Sequence, residues 1–243
     1  MENLKTKFRA TAGAVVDEGL RQFMIKVYNY MLVALCITAL TAYAVLNTPL
    51  INLFFSFTPT GQITGPSGLG WLAFFAPLIL VFSFSRILYR GSLTQVIIAF
   101  SAFSALMGIS LAPILLVYTG ESIVRVFLIT AAMFGATSIY GYTTQKDLTG
   151  MGSFLMMGVW GLIIAMIVNI FMGSSGMSYA ISFIAVAVFT GLTAYDSQRI
   201  REIYMHQDSE DTLTRKAIAG ALSLYINFIN ILIHLLRLIG DRR

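Results

Sequence analysis

Asp196 follows directly on a hydrophobic run, two residues before Gln198 and three before Arg199. Of eleven acidic residues, the other ten lie in a polar head, in the tail or in connecting segments. An ionisable group within or at the edge of an apolar span is a candidate for ion or proton handling, because charge in hydrocarbon is costly. The plainer reading is an interfacial Asp paired with Arg199, or with Arg86 at the end of another run. A second constellation lies near the C-terminus. Ser223, Asn227, Asn230, His234 and Arg237 recur at spacings of four, three, four and three, which is a stripe along one side of a helix. Facing lipid, those groups would be expensive, so the stripe is expected to face protein or water. It then either hydrogen-bonds to neighbouring helices or lines an ion or water path.

Other chemistries find little support. His206 and His234 are the only histidines and lie on different segments, so no zinc site is expected from them. No Ser/His/Asp arrangement, phosphate-binding glycine loop or H-E-x-x-H pair is present, and no catalytic residue is assigned. One isolated carboxylate without a partner acid or nucleophile is a poor catalyst. The single cysteine, Cys36, lies in an apolar run, which excludes an intrachain disulfide and a cysteine-based metal site. Gly158 and Gly161, like Ala187, Gly191 and Ala194, recur at helical spacing and are read as permitting close helix packing. The twelve methionines and eighteen phenylalanines are read as lipid-facing and core filler.

The elements that must position Asp196 and the stripe are membrane spans. Only 11% of the 243 residues are charged and 57% are apolar, against about 25% charged in ordinary globular domains. Residues 27–85 contain no Asp, Glu, Lys, Arg or His, and neither do residues 148–195. Each stretch is long enough for two crossings of a hydrocarbon core about 30 Å thick and a turn. We read an all-α membrane protein with spans at 27–46, 69–86, 93–117, 124–144, 151–172, 178–198 and 217–238. The connector 47–68 is rich in Pro, Gly, Thr and Asn and reads as a loop, and Gly173-Ser174-Ser175-Gly176 as a tight turn. Ala42-Tyr43-Ala44 has the form of a signal cleavage site, but the preceding run and leader are long, so the first helix is read as retained.

Residues 1–26 are a polar head carrying Lys5, Lys7, Arg9, Arg21 and Lys26 against Glu2, Asp17 and Glu18. Its second half has the composition of a short amphipathic helix on the membrane surface, and 27–240 reads as a single transmembrane helical domain. With the N-terminus in the cytoplasm, twelve of the sixteen basic residues fall on the inner side: the five in the head, Arg86, Arg90, Lys146, Arg199, Arg201, Arg215 and Lys216. That asymmetry sets the orientation. Basic residues lying between apolar runs are topology signals and make no nucleic-acid patch. The last run breaks the pattern, because a full crossing puts Arg237, Arg242 and Arg243 outside. We read it as a seventh span, with a re-entrant helix as the alternative.

At these residues the chain resembles the Bax inhibitor-1 family, in its bacterial branch of multi-pass inner-membrane proteins. The matching stretches are 134–158 (FGATSIYGYTTQKDLTGMGSFLMMG), 191–200 (GLTAYDSQRI) and 221–240 (ALSLYINFINILIHLLRLIG), with 77–86 (PLILVFSFSR) agreeing more loosely. The resemblance implies six helices surrounding a central C-terminal helix and a pH-sensitive leak of calcium, which is the transported ion and the only cofactor-like species expected. It also implies a sensor of two aspartates on the last two helices with an arginine bonded nearby. Asp196 falls on the first aspartate and Arg86 on the arginine, with Arg90 as the alternative. The second aspartate is missing. Where the family reads LYLDFIN, residues 224–230 read LYINFIN, which puts Asn227 at the acidic position. Two adjacent carboxylates share a proton because both cannot ionise cheaply, whereas an Asp–Asn pair hydrogen-bonds without that repulsion. Weaker or acid-shifted pH gating is therefore expected, as is weaker cation binding, with Asp196 the possible calcium contact. The alternative function is a non-transporting membrane protein that modulates a membrane-bound quality-control protease, with the head as its contact.

Overall fold

The computed structural model describes residues 2–58 and 63–243, with side chains from 18 onward except that of 63. Eight helices and one short hairpin follow in the order α1 (Glu2–Asn47), α2 (Ile51–Phe54), β1 (Phe55–Phe57), β2 (Ile63–Pro66), α3 (Gly68–Arg90), α4 (Leu93–Val117), α5 (Gly120–Thr143), α6 (Thr149–Met172), α7 (Ser175–Glu202) and α8 (Glu210–Ile239). Among the described residues seven helices are long and apolar enough to cross a membrane: α1 from Glu18, and α3 through α8.

The helices overrun the spans read from apolar residues, and caps explain why. Ser67, Ser92, Thr119, Ser174 and Ser209 each accept a backbone N–H from the first turn of α3, α4, α5, α7 and α8. Ser92 and Gln95 close a full capping box. A helix begins where a hydroxyl satisfies its orphan donors, which for α8 is seven residues before the apolar run starts. Gly173 closes α6 in the left-handed conformation, φ 62°, which glycine adopts without steric cost.

Two expectations are corrected. The separate surface helix in the head is not seen at 18–26, where α1 runs unbroken into the first span and buries Phe23 and Met24 in the bundle. The side chains of residues 1–17, including Lys5, Lys7 and Arg9, lie outside the described residues. The connector 47–68 is also more than a loop. Phe55 is buried against Val45 and Ala112, and β1 pairs antiparallel with β2. Residues 59–62 lie outside the described residues.

α8 is the most buried span and α6 the least. α8 packs against α7, α1, α5 and α4, while α3 packs on α4 and α6 on α7. A buried polar tie joins three of these helices. The Thr38 hydroxyl of α1 lies 2.7 Å from the phenol of Tyr225 on α8 and 2.8 Å from the carbonyl of Ser104 on α4. Tyr225 is fully buried, with Phe103 packed edge-on against its ring.

Both ends of α8 are fixed by hydrogen bonds. Near its start Arg215 donates to the carbonyl of Leu88 at the end of α3, and Lys216 to that of Ile203 at the end of α7. After its last turn Asp241 pairs with the α4–α5 connector, its carbonyl accepting from Thr119 N at 3.0 Å. Thirty residues of helix cover about 45 Å. α8 therefore runs from one end of the bundle to the other and does not turn back.

The small residues divide into two groups. Gly191 faces Leu155 and Gly158 faces Val188, so both serve helix packing, while Gly161 has open space around it and Ala187 is exposed. Between two of the long helices the tightest crossing lies elsewhere: a Cβ added at Gly141 of α5 would run into the carbonyl of Ala194 on α7. Gly141→Ala is expected to cost about 1–3 kcal/mol by forcing backbones apart, while Gly161→Ala is expected to be neutral or slightly stabilising. Thermal unfolding of both variants in detergent measures the difference. A seventh crossing by α8 would place the two termini on opposite sides of the membrane. Reporter fusions active on only one side should respond oppositely at the N- and C-termini; the same response from both would refute a seventh crossing.

Candidate functional site

α7 and α8 lie side by side, and the two residues singled out in the sequence meet where the last two turns of α7 pass the middle of α8. The side-chain amide of Asn227 donates to Asp196 Oδ2 at 2.7 Å. Asn227 is 4% exposed and Asp196 half-buried. No ion pair reaches Asp196 among the described residues, and Arg199, one turn further along α7, is exposed. The plain interfacial salt bridge is thus replaced by a carboxylate–amide bond. An amide donating to an ionised carboxylate makes a charge-assisted bond, about twice the strength of a neutral one.

Arg86 does not join the pair. It is exposed near the end of α3 and lines a shallow cavity with Ser85, Tyr89 and Arg90. Among the described residues it makes no bond to Asp196 or Asn227. The reason is the side of the helix it occupies: Arg86 and Arg90 line the same outward cavity, while Leu88 of the same turns is the residue that meets α8. The arginines that bind inward at this end are Arg215, on the carbonyl of Leu88, and Arg201, on the carbonyls of Tyr142 and Thr144.

The stripe of α8 is dispersed among several partners. Asn230 donates to the carbonyl of Ile226 in its own helix. His234 is buried, with Nδ1 3.3 Å from the hydroxyl of Ser182 on α7. Ser223 is half-buried, and Arg237 is exposed at the wall of a cavity. The other histidine, His206, lies in the α7–α8 connector at the opposite end. Among the described residues no group of three or more His, Cys, Asp or Glu side chains is placed to hold a metal.

Sequence reasoning missed the supports of Asp196. Gln198 is buried and bonds twice to the α5–α6 connector, its Nε2 donating to the carbonyl of Lys146 at 2.7 Å and its Oε1 accepting from Leu148 N at 2.8 Å. Next to Asp196, Ser197 shares a 2.8 Å hydrogen bond with Ser138 of α5, which shares one of 2.6 Å with the phenol of Tyr28 on α1. These bonds hold the Asp196 turn of α7 against α5 and α1. The signal was faint: a serine, a glutamine and a tyrosine in three separated segments, with no shared period.

Comparison with known proteins agrees with this architecture. The family described as inhibitor of apoptosis-promoting Bax1 matches residues 20–243. An uncharacterized protein of Rickettsia prowazekii is 40% identical over 240 residues, 98% of each chain. An uncharacterized protein of Caulobacter vibrioides is 41% identical over 229 residues, 94% of this chain and 92% of that one. The inner membrane protein YbhL of Escherichia coli is 39% identical over 227 residues, covering 93% of this chain and 94% of YbhL. With a family match over nearly its whole length and seven helices able to span, this multi-pass membrane protein belongs to the Bax inhibitor-1 family.

Proposed function

We propose that the chain is a cation leak of the bacterial inner membrane, with calcium as the ion and the N-terminus in the cytoplasm, gated at the α7–α8 seam. The observation that carries this is the 2.7 Å bond between Asp196 and Asn227 inside two adjacent spans. A carboxylate in a membrane bundle with an amide as its partner and no ion pair keeps its capacity to attract a cation. A guanidinium bonded to it would cancel that capacity. The Asn227 carbonyl oxygen supplies a second hard ligand, and water must supply the rest.

The seam is closed in this state. Leu224, Tyr225 and Ile231 flank Asn227 on α8 and are fully buried, while Asp196 is half-buried, so a cation that reaches the carboxylate passes beyond it only if the helices around Asn227 separate. Such separation breaks the Asn227–Asp196 bond, and a protonated carboxyl accepts that bond more weakly than a carboxylate. Proton and cation therefore act on one contact. A pair of carboxylates would add mutual repulsion, which Asn227 removes.

Orientation rests on the basic residues. Arg90, Lys146, Arg199, Arg201, Arg215 and Lys216 all lie at the end of the bundle where α3, α5 and α7 finish, which the charge rule places inside.

Reconstitution into liposomes with an enclosed calcium dye tests the leak. Flux above empty vesicles is expected somewhere between about pH 5 and about pH 8, and Asp196→Asn should reduce it to the empty-vesicle level. Asn227→Asp should move the pH response of the flux towards neutral, because two adjacent carboxylates hold a shared proton more tightly than one carboxylate beside an amide. Superimposable profiles for the wild type and Asn227→Asp would refute the gating account, and no flux at any pH would remove the leak itself.

A further inference from the structure

Four arginines break the charge rule, and all four gather at the end of the bundle opposite the other described basic residues: Arg125, Arg237, Arg242 and Arg243. Arg125 has a structural task. Its Nη2 donates to Asp241 Oδ2 at 2.7 Å and to the carbonyl of Ile239 at 3.2 Å. Asp241 N in turn donates to Ser122 Oγ at 2.9 Å, and Arg243 N to the carbonyl of Val117 at 3.0 Å. These bonds lay the C-terminal tail across the α4–α5 connector.

The tail so fixed carries Arg242 to a cavity of about 470 Å³ between the end of α4, the first turns of α7 and the last turn of α8. Arg237 lines the same cavity. Neither guanidinium has a carboxylate or hydrogen-bond partner among the described residues, and no acidic side chain lines the cavity. The hydroxyls of Ser175 and Tyr179 lie on its α7 side, also without protein partners among the described residues. The remaining wall includes Ile114 and Val117, which are apolar.

Two cations that stay charged at any physiological pH and share one cavity favour an anion there over another cation. Arginine alone at a membrane surface is usually solvated or reaches into headgroups. This pair differs in being concentrated at a recess by a built tail, on the side where basic residues are otherwise scarce. Guanidinium forks match the oxygens of a phosphate bidentately, and hydroxyl donors add to them. The apolar wall suits a phosphate that carries a hydrocarbon chain. We infer that this cavity binds a phosphate group, presented by an anionic phospholipid headgroup or free in solution. The site is separate from the Asp196 seam and does not depend on the proposed leak.

The test uses the full chain in detergent and follows its thermal unfolding midpoint during titration with short-chain phosphatidylglycerol, short-chain phosphatidylcholine or inorganic phosphate. Wild type should bind phosphatidylglycerol roughly tenfold or more tightly than Arg237→Gln/Arg242→Gln, the loss expected for charge-assisted bonds. Arg243→Gln, outside the cavity lining, should match wild type, and phosphatidylcholine should not distinguish the proteins. Arg237→Lys/Arg242→Lys keeps the charge without the fork and should fall between. A wild-type-specific response to inorganic phosphate identifies the free ion as the source, and one confined to phosphatidylglycerol identifies the lipid. Equal responses of wild type and the double glutamine variant to both ligands would overturn the site.

Discussion

Hydrocarbon offers no hydrogen bonds, and a helix that carries Ser223, Asn227, Asn230 and His234 along one side must find partners for them inside the protein. That requirement explains why α8 is the most deeply buried span. It also explains what surrounds α8. Thr38 of α1 meets Tyr225, Asp196 of α7 meets Asn227, and Ser182 of α7 meets His234. Each contact brings a polar atom of a neighbouring helix to a polar atom of α8. The apolar residues between them, Leu224, Phe228 and Ile231, then pack as an ordinary core. α6 has no such obligation, and it lies at the lipid side of α7 with Phe154, Trp160 and Phe171 outward.

The spans were legible because charge is costly in a bilayer, so residues without charge mark the crossings directly. Their ends were less legible, since a span can stop while its helix continues. The seven residues from Glu210 to Lys216 show this: four are charged, yet they are helical because Ser209 caps them and Lys216 returns to Asp208 and Ile203. The closeness of Asp196 and Asn227 was foreseen through the family resemblance, and the polar stripe had already turned Asn227 towards protein. Arg86 was misplaced because sequence says which residues end a helix but not which neighbour that helix leans on. Leu88 of the last turn meets Arg215 of α8, while Arg86 lies on the exposed side of the same helix. Gly161 failed for the same reason. Helical spacing put it with Gly158 on a packing face, but α6 touches α7 along a narrower strip than the spacing suggests.

The supports of Asp196 could not be read at all, and they are the more informative for it. Gln198 bonds to backbone atoms of Lys146 and Leu148, and Arg201 to those of Tyr142 and Thr144. Backbone atoms leave no trace in residue identity. Together these bonds lock the end of α7 to the α5–α6 connector, and Gly141 allows the α5 and α7 backbones to touch just above it. The carboxylate is thus mounted on the rigid member of the seam. Asn227 sits on the other member, so motion at the pair means motion of α8 relative to a fixed α7–α5 unit.

Such motion is constrained at both ends of α8. At one end Lys216 holds Ile203 and Asp208, with a 2.6 Å bond to the latter, and Arg215 holds Leu88. At the other end Asp241 is held by Arg125, Thr119 and Ser122. A rigid helix pinned at both ends cannot swing out, but it can rotate about its axis or bow at its middle. Rotation displaces every turn alike, whereas a bow is largest at Asn227 and Tyr225, which lie near the midpoint of α8. Rotation would also be opposed by the Thr38–Tyr225 contact, on which α1 and α4 converge. A single bond of about 1.5–3 kcal/mol between Asn227 and a carboxylate is comparable with the cost of a modest distortion of that kind. On the proposed gating, the state of the Asp196 carboxyl would then have enough leverage to bias the position of α8, with the end contacts holding the helix elsewhere.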